Sequence, residues 1–107
     1  MNSTCSTHVL DAALGRPAAG MRVHLGDPGG GYVEHAETDA DGRIRFETTL
    51  PPGVHTLTFE TGEWFAAQQR PTFFPVVGLM FAVEEDQPHH HVALLLSPYS
   101  YTTYRGS

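Results

Sequence analysis

Apolar and polar residues alternate in short runs broken by Gly, Pro and Asp along most of this chain, the period of β-strands whose successive side chains face opposite sides. Thr4 to Leu10 partly alternates, Gly15-Arg16-Pro17-Ala18-Ala19-Gly20 interrupts, and Met21 to Leu25 alternates again, predicting two strands and a connection. After the turn cluster Asp27-Pro28-Gly29-Gly30-Gly31, Tyr32 to Thr38 reads as a third strand. Asp39-Ala40-Asp41-Gly42 is a hairpin turn, because Asp and Gly tolerate positive φ. The fourth strand, Arg43 to Thr48, sets Ile44 and Phe46 on a core face and Arg43, Arg45 and Glu47 on a charged one. Pro51-Pro52-Gly53 ends it. His55, Leu57 and Phe59 alternate with threonines in a fifth strand. Thr61 stands where it can cap a short helix through Ala67, with Glu63 in the first turn and Trp64 and Phe65 packing it down. A long apolar strand is predicted from Phe74 to Val83 and a solvated turn at Glu84-Glu85-Asp86; His89 to Leu96 and Ser100 to Tyr104 supply the last two strands. About eight strands and one short helix predict an all-β fold, an antiparallel β-sandwich of two sheets.

The 107 residues fit one domain, residues 1–107, with an adequate core. Six basic against twelve acidic residues give a formal charge of −6, a field that repels phosphate backbones, so no nucleic acid is expected as a partner. Cys5 stands alone and cannot form an intrachain disulfide. The segment from Met1 to His8 lacks the basic start and apolar stretch of a secretory signal, so the protein is expected in the cytoplasm. No run of eighteen apolar residues supports a membrane partner, and Arg105-Gly106-Ser107 does not match the peroxisomal address.

Seven histidines are many for a chain of this size, and in His89-His90-His91 the strand period puts His89 and His91 on one face and His90 on the other. The cluster alone fits a polar strand end with solvated imidazoles as well as a site. His8, in the middle of the first strand, and Arg43, after the Asp41-Gly42 turn, each project a polar tip from a sheet face, yet taken singly each is the kind of side chain that ordinarily faces solvent. His24, His35 and His55 are read as structural. The tail from Leu94 to Ser107 is apolar and tyrosine-rich where chain ends are ordinarily polar, so it is expected to pack within a sheet or form a subunit interface, and an oligomer is expected.

These pieces meet in one family. The chain resembles the 5-hydroxyisourate hydrolases, the enzymatic branch of the transthyretin-like proteins, over nearly its whole length. The carriers are Ser6-Thr7-His8-Val9-Leu10-Asp11, Gly15-Arg16-Pro17-Ala18, Thr38-Asp39-Ala40-Asp41-Gly42-Arg43-Ile44, and His89-His90-His91-Val92 through the specific ending Tyr104-Arg105-Gly106-Ser107. The resemblance implies a transthyretin-like sandwich and places the catalytic residues at His8, Arg43 and His91. Tyr104 and Ser107 join His8 and Arg43 in lining the substrate site. It further implies metal-independent hydrolysis with no cofactor, and a homotetramer whose active sites lie in a channel between dimers. The chain departs from the family pattern at Ala93, Ser100 and His90, where Pro, Gly and Tyr are usual.

The implied substrate is 5-hydroxyisourate, a purine-derived ring opened by water during urate degradation to give 2-oxo-4-hydroxy-4-carboxy-5-ureidoimidazoline. A base must take a proton from water, a donor must stabilise the oxyanion, and an acid must protonate the departing ring nitrogen. Imidazoles suit the proton transfers and the permanently charged Arg43 suits the oxyanion; the sequence does not order the two histidine roles. Two other readings compete: a zinc hydrolase in which His89, His91 and a third histidine hold the metal, and a sandwich that binds a small aromatic ligand without turnover. A serine or cysteine nucleophile has no activating motif.

Overall fold

The computed structural model describes residues 2–106. The alternating runs form nine strands: β1 (Thr4–Asp11), β2 (Arg16–Pro17), β3 (Arg22–Gly26), β4 (Tyr32–Glu37), β5 (Arg43–Arg45), β6 (Gly53–Phe59), β7 (Val77–Val83), β8 (His89–Ser97) and β9 (Ser100–Gly106). One short helix, α1 (Thr61–Ala66), lies between β6 and β7. One sheet runs β2-β1-β8-β9, with β5 sharing the outer edge of β1; the other runs β4-β3-β6-β7. Cys5, Val9, Ile44, Val92, Leu94 and Leu96 project from the first sheet onto Val23, Leu25, Leu57, Phe59, Val77 and Val83 of the second, the packed middle of a two-layer sandwich.

The pairing is antiparallel with one exception: β1 and β8 run parallel, in register from Thr4 with His89 to Asp11 with Leu96. The expected antiparallel sandwich thus holds one parallel pair, which alternation along each strand cannot reveal because it does not encode the direction of a neighbour. The two-residue β2 adds a ninth strand. β5 ends at Arg45 instead of Thr48: beyond it Phe46 still points into the core, while the backbone N–H groups of Glu47 and Thr48 donate to the Glu34 carboxylate. β7 starts at Val77 and not at Phe74, because Pro75 has no N–H to offer a ladder and Thr61 Oγ1 takes the Phe74 carbonyl at 2.6 Å. That bond also corrects the helix cap. Thr61 is the first helical residue and its hydroxyl reaches outward to Phe74, while Glu60 occupies the N-cap position without a side-chain cap. Phe65 seals the helix onto the core, and Trp64 is half-buried with its indole N–H donated to the Ala19 carbonyl at 2.7 Å.

Candidate active site

With Cys5, Thr7, Val9 and Val92 turned into the core, the alternate residues of β1 and β8 stand on the outer face of their sheet. The register then builds two adjacent rungs across four strands. One reads Arg43, His8, Ala93, Tyr104 from β5 through β1 and β8 to β9; the next reads Arg45, Ser6, His91, Gly106. Neighbouring strands are about 4.8 Å apart, so Arg43, His8 and His91 form a compact cluster although they come from three distant parts of the chain. Ala93 and Gly106 are the small members of the rungs, and the volume a side chain at Gly106 would need is taken by the His91 ring.

Arg43 is aimed by its turn. The Asp39 carboxylate accepts from the backbone N–H groups of Asp41 and Arg43, each at 2.9 Å, and Asp39 N–H donates to the Arg43 carbonyl at 2.9 Å. Gly42 has φ +77° and lies against β1, where an added Cβ would stand 2.3 Å from the Val9 carbonyl oxygen. The Gly42 carbonyl in turn accepts from Val9 N–H at 2.8 Å. The turn therefore holds Arg43 beside His8.

His91 is held from two sides. Ser6 Oγ lies 2.7 Å from its Nδ1 and also 2.8 Å from Nε2 of His89, whose own Nδ1 is 2.5 Å from Thr4 Oγ1. Gly106 faces it across the ladder so closely that a Cβ there would stand 2.3 Å from ring carbon Cδ2. Burial pushes the His91 pKa below the ordinary imidazole range, and the charges of Arg43, His8 and His89 add to that depression. His89 is lowered too, by burial and then by Arg45. At neutral pH His91 is thus a neutral imidazole, fit to take up or hand on a proton, next to a permanent cation fit to hold an oxyanion.

An open hollow of about 310 Å³ lies over this face, with Ser6, Asp39, Arg43, Arg45 and His91 in its walls. His8 is not one of those walls; it is half-buried on the same face, opposite Arg43. Tyr104 is 53 % exposed, lies across Ala93 from His8, and borders a second cleft of about 290 Å³ between β7 and β9, lined also by His90, Phe81 and His91 itself. Ser107 lies outside the described residues. His8, Arg43 and His91 are therefore brought together, with Tyr104 farther along the same face. The sequence reading missed Ser6, Asp39 and Gly106. Ser6 is two residues from His8 and shares its face by period, a signal that was available; Gly106 matters only through its register with His91.

Three further candidates occupy structural positions. The Cys5 thiol is fully buried and pushed up to about 12, by burial and then by Glu34, which removes it as a nucleophile. His55 is buried with Nε2 2.8 Å from the Pro51 carbonyl oxygen, and His24 lies 3.2 Å from the Glu60 carboxylate and stacks on Tyr32. Among the described residues no three His, Cys, Asp or Glu side chains converge as a metal-binding group.

Fold and site together define a β-sandwich protein with an imidazole and guanidinium cluster standing on the outer face of one sheet. The profile of the HIUase/Transthyretin family matches residues 5–106. The 5-hydroxyisourate hydrolase of Salmonella dublin is 40 % identical over 99 % of this chain and 82 % of its own. The structure of Klebsiella pneumoniae 5-hydroxyisourate hydrolase superposes with a TM-score of 0.89 at 40 % identity, covering 98 % of this chain and 94 % of that one. Sea bream transthyretin in complex with thyroxine superposes with a TM-score of 0.87 at 31 % identity, covering 95 % and 93 %. This chain belongs to the HIUase/Transthyretin family.

Proposed function

We propose that this protein is a hydrolase that opens 5-hydroxyisourate to 2-oxo-4-hydroxy-4-carboxy-5-ureidoimidazoline in urate degradation, as one domain over residues 1–107. The observation that carries the reading is the pair of rungs that sets Arg43 and His8 opposite one another on neighbouring strands with His91 one rung away. The hydrolase names of its relatives support it.

The chemistry follows from what each group can do. His8 takes a proton from the attacking water. Arg43, with parallel N–H donors, anchors the ring and stabilises the oxyanion as the carbonyl becomes tetrahedral. His91, neutral and with Nε2 left for the substrate once Nδ1 has engaged Ser6, moves the proton between the developing hydroxyl and the departing ring nitrogen. Tyr104 and Ser107 position the ring. The site is completed in a homotetramer, in a channel between dimers. Supporting this, among the described residues β9 pairs with β8 alone, on one side, and Tyr101, Tyr104 and Met80 are left exposed along β9 and β7. A cytoplasmic setting suits the free, buried Cys5. No helix among the described residues is long and apolar enough to cross a membrane.

The test is ring opening of freshly generated 5-hydroxyisourate, followed by ultraviolet absorbance and circular dichroism against an enzyme-free control and His91→Ala, with chelator in one arm. Decay faster than the control, unaffected by chelator and giving an optically active product, is expected, with a loss of roughly 10²–10⁴ in the variant. Chelator-sensitive activity restored by zinc would favour a metal hydrolase. Binding with no acceleration would make the protein a carrier.

A further inference from the structure

One hydroxyl lies between two imidazoles on the outer face. Ser6 Oγ is 2.7 Å from Nδ1 of His91 and 2.8 Å from Nε2 of His89, and the far side of the His89 ring reaches Thr4 Oγ1 at 2.5 Å. A serine hydroxyl has one proton to donate, so Ser6 can donate to only one of the two rings and must accept at the other. The protonation patterns of His89 and His91 are therefore coupled through Ser6, which a solvated pair of strand histidines would not show.

We propose that Ser6 and His89 are positioning residues that act through His91, together forming a relay that fixes its tautomer and carries a proton between its substrate-facing nitrogen and His89. The proposal rests on the assignment of His91 to the active site. In the resting arrangement His91 donates Nδ1–H to Ser6 Oγ, Ser6 donates its hydroxyl proton to His89 Nε2, and His89 donates Nδ1–H to Thr4 Oγ1. This leaves the lone pair of His91 Nε2 open to the hollow. When His91 Nε2 takes a proton, its Nδ1 proton passes to Ser6 Oγ while the Ser6 proton passes to His89 Nε2. One N–H bond forms at His91 Nε2, one breaks at His91 Nδ1, the Ser6 O–H is exchanged, and one N–H forms at His89 Nε2. Ser6 stays neutral and the positive charge ends on His89. The reverse transfer returns the proton to the departing nitrogen.

The surroundings give this transfer a direction. Arg43 from β5 and His8 from β1 stand beside His91, with His89 of its own strand, and all disfavour a cation held there; from β9 it is faced by Gly106, which has no side chain. His89 is faced by one cation, Arg45, against the three groups that surround His91. Moving the proton from His91 to His89 takes it away from the guanidinium that must hold the oxyanion.

The experiment compares the full chain with Ser6→Ala, Ser6→Thr, His89→Phe, the Ser6→Ala/His89→Phe double variant and His91→Ala. It reads kcat and KM for 5-hydroxyisourate across pH, the ¹⁵N shifts of the His91 ring, and the mass of the protein during turnover. Ser6→Ala is expected to lower kcat roughly 10–100-fold with KM little changed, to move the acid limb of the kcat profile, and to leave His91 a mixture of tautomers. Ser6→Thr should recover most of the loss, and the double variant should be no worse than the poorer single one, as expected of residues that act in one chain. If Ser6→Ala fails to fold, His89→Phe, which leaves the hydroxyl in place, reads the same kcat loss and tautomer change. Normal kcat with an unaltered His91 tautomer, additive losses, or a covalent adduct on Ser6 would overturn the relay. An active His91→Ala would instead remove the active-site reading beneath it, whereas an inactive His91→Ala beside a fully active Ser6→Ala would remove the relay alone.

Discussion

Gly106 faces His91 across the β8–β9 ladder, and the imidazole occupies the volume where a Cβ would stand. Adding a methyl group there must turn the His91 ring away from Ser6 Oγ, while the backbone, which is extended at this point, has no reason to change. Gly106→Ala is therefore expected to lower kcat/KM roughly 100-fold, because displacing a catalytic group by about 1 Å costs that much, with melting temperature within a few degrees of the parent. Unimpaired turnover would show that the ring has room to spare. At this scale the sequence was informative about facing: the outward turns of His8, Arg43 and His91 and the inward turn of His90 follow from alternation, while it was the family resemblance that singled the first three out as a site. The pattern was silent on Gly106, whose importance is a matter of which residue lies opposite, and that is settled by pairing between strands and not by the pattern within either.

Between elements, the end of β1 is tied to the loop after α1 by a charge pair that periodicity does not reveal. The Asp11 carboxylate, 1 % exposed, lies 2.7 Å from Nη1 of Arg70, whose guanidinium sits 4.8 Å from the centre of the Phe65 ring and 5.8 Å from that of Trp64. Burial alone would raise the Asp11 pKa, but the hydrogen bonds from Arg70 and from the Leu14 N–H outweigh it and hold the carboxyl below its ordinary value. Removing the cation leaves a buried carboxylate without its partner. Arg70→Met is expected to cost about 3 kcal/mol in urea denaturation, and Asp11→Ala/Arg70→Met less than the sum of the two single changes. Additive losses would mean that Arg70 acts through its packing on the two aromatic rings and not through the pair. The same limit explains the elements that were misjudged. A run of apolar residues announced β7 but could not show that Pro75 bars its first turn of ladder, and Thr61 has the right chemistry for a cap but spends its hydroxyl on Phe74. The parallel β1–β8 pair was equally hidden, since a strand alternates identically beside a parallel or an antiparallel neighbour.

For the molecule as a whole, β8 carries three consecutive histidines through the boundary between site and core, and all three are held below the ordinary imidazole value of 6.5. His90 is the inward one, 4 % exposed, lowered first by burial and then by His89, Arg105 and His55 against an opposing pull from Glu84. A histidine whose folded pKa is depressed binds its proton more readily in the unfolded chain, so its stabilising contribution is fully present above about 6.5 and is lost as pH falls through the folded value. Asp11 and Glu34 are also lowered, but from 3.8 and 4.5, so their loss begins only in stronger acid. The melting temperature is accordingly expected to be level from pH 8 to about 7, to fall in a first step below about 6.5, and to fall again below about 4.5. His90→Phe, which keeps a ring in the core but cannot bind a proton, should shrink the first step, leaving the share of His89 and His91, and leave the second unchanged. A melting temperature unchanged between pH 7 and 5 would mean that these rings accept protons in place, and the neutral His91 on which the proton transfers depend would lose its physical basis along with it.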